Sequence, residues 1–323
     1  MSVLVTGATT PLGASIVHRL LADPAIERVL ALGREAEVDI PEVLHDRRVT
    51  YLRTDLTRSR NVRDLMFGPV FAHEVTTVVH AALHRRASDE GRRVRRLNVA
   101  TTRTLLWLTE QHPSIRRFVF LSSGQLYRRS AWSPTVLRED VELDLSPGAP
   151  QWLRDRVEAD LAVTARLASP DLDVVVLRCA EILCADAGSQ LHDYLASRVC
   201  LRPMGFDPMV NVLSLQDAAN AFAAAVASSA SGVFNVPGAD TLTLSQAIAK
   251  WGRVDVALPG PLLGPLYAAR RAVLGTDFRW DLNEARFRIG AVLDGARARS
   301  VLGYTPQHPL VWPVPNGGRE TGI

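Results

Sequence analysis

The first stretch of the chain able to do chemistry is Thr6-Gly7-Ala8-Thr9-Thr10-Pro11-Leu12-Gly13, fed by the apolar run Val3-Leu4-Val5. A glycine at 7 permits a tight turn, and one at 13 lets the next helix lie close to a sheet. Thr9 or Thr10 can cap that helix, and Pro11 suits its first position. Backbone N–H groups at such a helix start face a pyrophosphate. Lying at the end of a first strand, the segment reads as a dinucleotide-binding turn; a plain strand-turn-helix corner is the alternative. The second strand ends Leu32-Gly33-Arg34-Glu35. Gly33 leaves empty the place of an acidic residue that would hold a ribose 2′-hydroxyl, and Arg34 suits a 2′-phosphate. That favours NADP(H). NAD(H) stays open, because Glu35 is able to take the acidic role.

Two other chemistries are nearly absent. Of 37 basic residues only Lys250 is lysine. The three cysteines, Cys179, Cys184 and Cys200, are odd in number and scattered, which fits buried thiols in a reducing cytoplasm. With His192 they match no zinc spacing, so no metal is expected.

The elements that must position these groups alternate. Strand signals fall at 3–6, 28–32, 49–53, 76–80, 118–121 and 174–177, with helix patterns at 11–21, 91–110 and 151–167. Continuous β-branched runs between helices predict a doubly wound parallel α/β sheet, Rossmann-like, covered on both faces. Further on, helical patterns at 189–197, 216–228, 245–251 and 265–274 surround a strand at 232–236. Residues 309–318 read as a loose tail. The expected division is a nucleotide-binding domain over 1–178, with 205–236 returning to it. A smaller substrate-binding region takes 179–204 and 237–323.

Composition narrows the class. The 323 residues are 22% charged and 47% apolar, an ordinary globular balance. No run of 18 apolar residues suggests a spanning helix, and the N-terminus lacks a secretion signal, so a cytoplasmic protein is expected. A net charge of +3 is too weak to argue for nucleic acid.

The turn at 6–13 resembles the Thr-Gly-x-x-Gly-x-x-Gly signature of extended and atypical short-chain dehydrogenases/reductases, the epimerase/dehydratase-like group, with Thr10 in place of the middle glycine. Other segments match in order. Asp55-Leu56-Thr57 resembles the segment where Asp meets adenine, and His80-Ala81-Ala82 the one running beside the cofactor. Asn98-Val99-Ala100-Thr101-Thr102 is similar to the Asn-Val-x-x-Thr helix. Leu121-Ser122-Ser123 matches the strand end that carries the active-site Ser, placing it at Ser123. Leu177-Arg178 with Glu181, Asp217 in its stretch, and Leu302-Gly303-Tyr304-Thr305-Pro306 complete the series. The resemblance implies a cofactor site of Gly7, Thr9, Thr10, Pro11, Leu12, Gly13, Arg34, Asp55, Leu56, Ala81, Ala82 and Asn98, and a reaction involving hydride.

The family's Tyr-x-x-x-Lys motif is missing. Its spacing after the Ser falls on Trp152 and Arg156. An indole N–H donates and accepts nothing, and a guanidinium stays protonated. Neither removes a proton from an alcohol, yet both donate to a carbonyl gaining negative charge. Arg156 also suits the ribose hydroxyls. Reduction therefore fits better than alcohol oxidation or epimerisation. Glu181, His84 and Tyr127 are the remaining candidates for substrate contact or acid/base work; for each, a capping carboxylate, a loop histidine or a packing tyrosine is the plainer reading. His80 is expected to pack under the cofactor.

The arginines at 85, 86, 92, 93, 95 and 96 read first as a solvated helix with ion pairs, and second as a docking surface or part of a homodimer contact. The apolar segment 259–274 reads as a core-facing helix, with lining of an apolar substrate pocket or a membrane surface as alternatives. Two functions follow. The first is an NAD(P)H-dependent reductase of a small carbonyl compound. The second is a non-catalytic NAD(P)-binding regulator or scaffold of the same fold.

Overall fold

The computed structural model describes residues 1–313. Seven parallel strands form the main sheet. Strands β1 (Ser2–Thr6), β2 (Arg28–Gly33), β3 (Val49–Arg53), β4 (Thr77–His80) and β5 (Arg117–Ser123) are followed by Asp173–Cys179 and Gly232–Val236. In space the order is Gly232–Val236, Asp173–Cys179, β5, β4, β1, β2, β3. The chain therefore reverses direction of winding between β1 and β4, the place where doubly wound sheets bind ligands. Thr6, the last residue of β1, pairs with Leu32 on one side and His80 on the other.

The strands are buried on both faces, so alternation gives way to runs such as Val174-Val175-Val176-Leu177, all fully buried. On one face Leu12, Ile16, Val17 and Leu20 of helix α1 (Pro11–Leu21) meet Ala218, Ala221, Phe222 and Ala225 of the helix Leu215–Ala227. On the other, Val62 and Leu65, then Leu105, Leu106 and Leu108, then Ala159 and Val163 pack from three helices. The helix read at 91–110 begins at Arg92 and carries a π-helical turn over Arg96–Thr101. Such turns re-aim a side chain, and this one holds Asn98.

A smaller core lies beyond the sheet. Tyr194, Tyr267, Phe278, Trp280 and Phe287 cluster there; Tyr267 stacks on Trp280 and Tyr194 meets Phe287 edge-on at 4.9 Å. Of the segment expected to return to the main sheet at 205–236, the strand Met209–Leu213 pairs instead with Asp240–Thr243 and Glu181–Ile182. The return begins at Leu215. Residues near the end go the opposite way, since Leu293, Ala298, Leu302 and Tyr304 join the main core.

The helix Gly260–Leu274 starts before Pro265, because Pro261 fits its first turn. It gives Leu263 and Tyr267 to the small core, in line with the core-facing reading, and lines none of the cavities described below, which leaves the alternative of an apolar pocket wall without support. Of the tail read at 309–318, residues 314–318 lie outside the described part. Among the described residues no helix is long and apolar enough to cross a membrane.

Candidate active site

The turn after β1 is built by exclusion of side chains. Gly7 has φ +71°, and a Cβ there would lie 3.0 Å from Ala82 Cα. At Gly13 a Cβ would lie 2.1 Å from the Gly7 carbonyl oxygen. Thr10 caps α1: its hydroxyl donates to the Gly7 carbonyl at 2.9 Å and accepts the Gly13 N–H at 3.0 Å. That hydroxyl is therefore committed to the turn, with its proton on the Gly7 carbonyl.

At the end of β2, Gly33 has a spatial reason. A Cβ there would lie 2.3 Å from the Thr9 methyl and 2.7 Å from the Tyr51 hydroxyl. Glu35 turns back into the same corner, accepting from the Thr9 hydroxyl and, at 2.9 Å, from the Arg34 N–H. Burial raises its pKa, but these hydrogen bonds outweigh it and hold the carboxyl below the usual range. Arg34 is exposed at the rim.

A cleft of about 470 Å³ runs along this corner, lined by Gly7, Thr9, Thr10, Arg34, Glu35, Leu56, Ala82 and His84 among others. Asp55, between the lining residues Thr54 and Leu56, is not itself among them. Its carboxylate accepts the N–H and hydroxyl of Thr57 at 3.1 and 2.7 Å; burial raises its pKa less than these bonds lower it.

The floor between β1 and β4 is a hydrogen-bond chain. The Ala81 and Ala82 N–H groups donate to the Thr6 hydroxyl at 3.1 and 3.2 Å. Thr6 must then give its own proton to His80 Nδ1 at 2.8 Å. This fixes the proton on Nε2, which reaches the Thr102 hydroxyl at 3.0 Å, and Thr102 donates to the Asn98 carbonyl at 2.7 Å. Complete burial pushes the His80 pKa down to about 4, so the ring is neutral as the chain requires. Asn98 Oδ1 in turn accepts the His84 N–H at 2.7 Å, holding the loop after β4.

A second, inner pocket of about 60 Å³ adjoins the cleft. It brings together Thr10, Leu12, Ala81, Ser123, Trp152, Arg156 and Glu181. Trp152 and Arg156 lie one turn apart on the helix Gln151–Thr164. Trp152 is 2% exposed, and its indole N–H is buried without a partner. Arg156 donates through Nη2 to the His84 carbonyl at 3.0 Å, while its Nε has no partner. Burial pushes the guanidinium down to about 10 against the opposing charge of Glu181, which leaves it a cation at neutral pH. The Ser123 hydroxyl accepts only a 3.2 Å contact from the Gln125 N–H.

Three of the other sequence candidates fare differently. His84 lines the cleft with Nδ1 buried and unpartnered, and Nε2 3.4 Å from Asp89; burial lowers its pKa against that carboxylate. Glu181 lines the inner pocket but is engaged by the Arg286 guanidinium, the Ser189 hydroxyl and the Leu191 N–H. Two of these bonds fall on Oε1 and one on Oε2, so the carboxylate is held in place with a single acceptor position left on Oε2. Tyr127 is not brought to the pocket. It is 1% exposed, donates to Asn235 Oδ1 at 2.7 Å and accepts from Arg178 at 3.2 Å. Arg178 is also the bidentate partner of buried Asp160, to which Ser122 donates. Cys179 lies beneath the pocket with its thiol pushed up to about 12 by burial.

The residues fit a dinucleotide. The cradle at Gly7 and Gly13 is closed to any Cβ, a capped helix start faces it, and unpartnered donors wait at its inner end. Sequence reading missed three contributors to this arrangement: Tyr51, Gln125 and Arg85. Their side chains are ordinary surface types, and only the fold brings them in.

A fold and cleft of this kind define a nucleotide-binding α/β protein of the doubly wound class. Residues 3–201 match the model of the NAD dependent epimerase/dehydratase family, and the chain belongs to that family. It is 32% identical over 317 residues to an uncharacterized protein of Mycobacterium tuberculosis, covering 96% of this chain and 81% of that one. It is 29% identical to a 3-diazoavenalumate denitrifying reductase of Streptomyces sp, covering 96% and 97%. Among solved structures, UDP-glucuronic acid 4-epimerase from Bacillus cereus in complex with NAD superposes with a TM-score of 0.69 at 14% identity, covering 96% and 93%.

Proposed function

We propose that the protein is an NAD(P)H-dependent reductase of a small carbonyl compound, working without the usual Tyr/Lys pair. One observation carries this: the Trp152 N–H and the Arg156 Nε–H are both buried and unpartnered, in the pocket that holds Ser123. A nicotinamide cofactor, when bound, supplies the hydride. The chain's own groups do the rest. Trp152 and Arg156 donate to an oxygen that gains negative charge, and in a water-poor pocket each such donor is worth about 3 kcal/mol. Ser123 orients the carbonyl. The product oxygen takes its proton from water, because Glu181 is engaged and Tyr127 is elsewhere. The Streptomyces relative, named a reductase, supports this direction.

NADP(H) is the preferred cofactor in this reading, on the exposed Arg34 at the rim and Arg85 in the same cleft. The ionised Glu35 favours the second reading, NAD(H), because a carboxylate there accepts a 2′-hydroxyl and repels a 2′-phosphate.

The test is to follow nicotinamide fluorescence with NADPH and NADH, then absorbance with a panel of ketones and enones. Substrate-dependent oxidation that Ser123→Ala slows at least tenfold is expected. Binding with no turnover across the panel favours the regulator or scaffold instead, and an unchanged rate in Ser123→Ala removes that residue from the mechanism.

A further inference from the structure

The inner pocket does not end at Glu181. Gln125, Ala180 and Glu181 also line a further cavity of about 40 Å³, whose walls include Arg129 and Arg286. The two guanidinia are differently placed. Arg286 is engaged, with Nη2 on the Glu181 carboxylate and Nη1 on Asn283 Oδ1 at 2.9 Å. Arg129 has Nε and Nη1 buried with no hydrogen-bond partner. Among the described residues no carboxylate pairs with it. Burial, and then repulsion by Arg286, push the guanidinium down to about 10, so it stays charged at neutral pH. A half-buried cation with two desolvated nitrogens and no counter-charge costs stability in the fold that holds it. Phe287, Ile289 and Leu293 add apolar wall, and the polar groups beside them are the neutral amides of Gln125 and Asn211, the latter engaged with Gly238 and Asp240; an ion pair formed against the apolar part is strengthened.

We propose that Arg129 is an anion site at the far end of the substrate pocket and that its ligand is a carboxylate, held there while the reducible group of the same molecule sits beside Ser123. The placing of the reducible group rests on the reductase reading; the anion site does not. The charge count favours a carboxylate. Arg286 and Glu181 cancel, leaving one unmatched positive charge in a space of about 40 Å³. A diphosphate carries more negative charge than this single guanidinium matches.

Calorimetric titration of the full chain at low salt tests this with three probes: benzoate, its uncharged analogue benzamide, and phenyl phosphate. Benzoate is expected to bind at least tenfold more tightly than benzamide, with Arg129→Met abolishing the difference and Arg129→Lys keeping part of it. Without probe, Arg129→Met is expected to raise the thermal unfolding midpoint by about 2 °C, since it removes an unpaired, half-buried charge. Equal benzoate binding by the wild type and Arg129→Met, or none by the wild type, overturns the site. A midpoint that falls in Arg129→Met overturns it as well, by making the arginine structural. Tighter binding of phenyl phosphate than benzoate overturns the carboxylate assignment. None of these readouts requires turnover, so they succeed or fail separately from the reductase assay.

Discussion

The guanidinium carbon of Arg156 lies 4.1 Å from the centre of the Trp152 ring. The two side chains therefore form one wall: the indole face carries the cation, and the His84 carbonyl fixes the cation's other edge. A desolvated stack of this kind is worth about 2 kcal/mol. It also explains how a buried arginine is tolerated without a carboxylate in contact.

Trp152→Phe keeps a ring for Arg156 and deletes only the N–H. Turnover is expected to fall about a hundredfold, with cofactor affinity nearly unchanged. Single-turnover kinetics beside a nicotinamide fluorescence titration separates the two. A parallel loss of cofactor affinity would mean that Trp152 holds the nucleotide, not the reacting oxygen.

Arg34 and Glu35 pull cofactor choice in opposite directions. Arg34→Ala should weaken NADPH binding about tenfold more than NADH, and Glu35→Gln should strengthen NADPH relative to NADH. Dissociation constants for both cofactors with both variants provide the check. Equal effects of Arg34→Ala on the two cofactors rule out the NADP(H) preference.

His80 predicts an acid-sensitive fold. The unfolded chain takes up a proton near the ordinary histidine value of 6.5, and the folded chain only near 4. The unfolded state thus binds more protons between these values, so stability is full above pH 6.5 and falls toward pH 4, by roughly 3 kcal/mol from this one group. Urea unfolding at pH 7.5 and 4.5 should show a smaller acid loss in His80→Gln than in the wild type. Identical losses would mean that His80 is not held neutral.

Thr10→Ala removes both hydrogen bonds of the helix cap and should cost about 1 kcal/mol of stability. Thr10→Gly, which restores the glycine common in similar turns, should cost only a few tenths. Denaturant midpoints compare them. If Thr10→Gly proves as damaging as Thr10→Ala, the cap is not what the threonine contributes.

Local pattern made the main sheet legible. β3 and α1 match their sequence-read limits, because apolar runs and a Thr-Pro helix start leave little choice. The helix Trp280–Arg288 escaped notice, although Trp280, Asn283 and Phe287 bury one face at helical spacing. The buried polar Asn283, satisfied by the Gln190 and Arg279 oxygens, broke the apolar stripe. The same limit applies to the site. Ser123, Trp152 and Arg156 follow from the family resemblance, and they do share a pocket. The engagement of Glu181 by Arg286, 105 residues later, and the isolation of Arg129 depend on tertiary contacts that no local pattern encodes.

Arg85 and Gly188 line both the cleft and the inner pocket; Arg85 donates to the Asp186 carbonyl at 2.6 Å, and a Cβ on Gly188 would come within 2.7 Å of the Arg85 carbonyl oxygen. One exposed hydrogen bond of this sort contributes only about 1 kcal/mol. The crossing does not stand alone: Ser88 donates to Asp277 at 2.6 Å, and Arg279 reaches the Ala87 carbonyl at 3.1 Å and the Glu90 carboxylate, so the loop after β4 is tied to the smaller core at several points. The wall of the cleft on this side is therefore shared between the two cores, and displacing the loop breaks several bonds at once, not one.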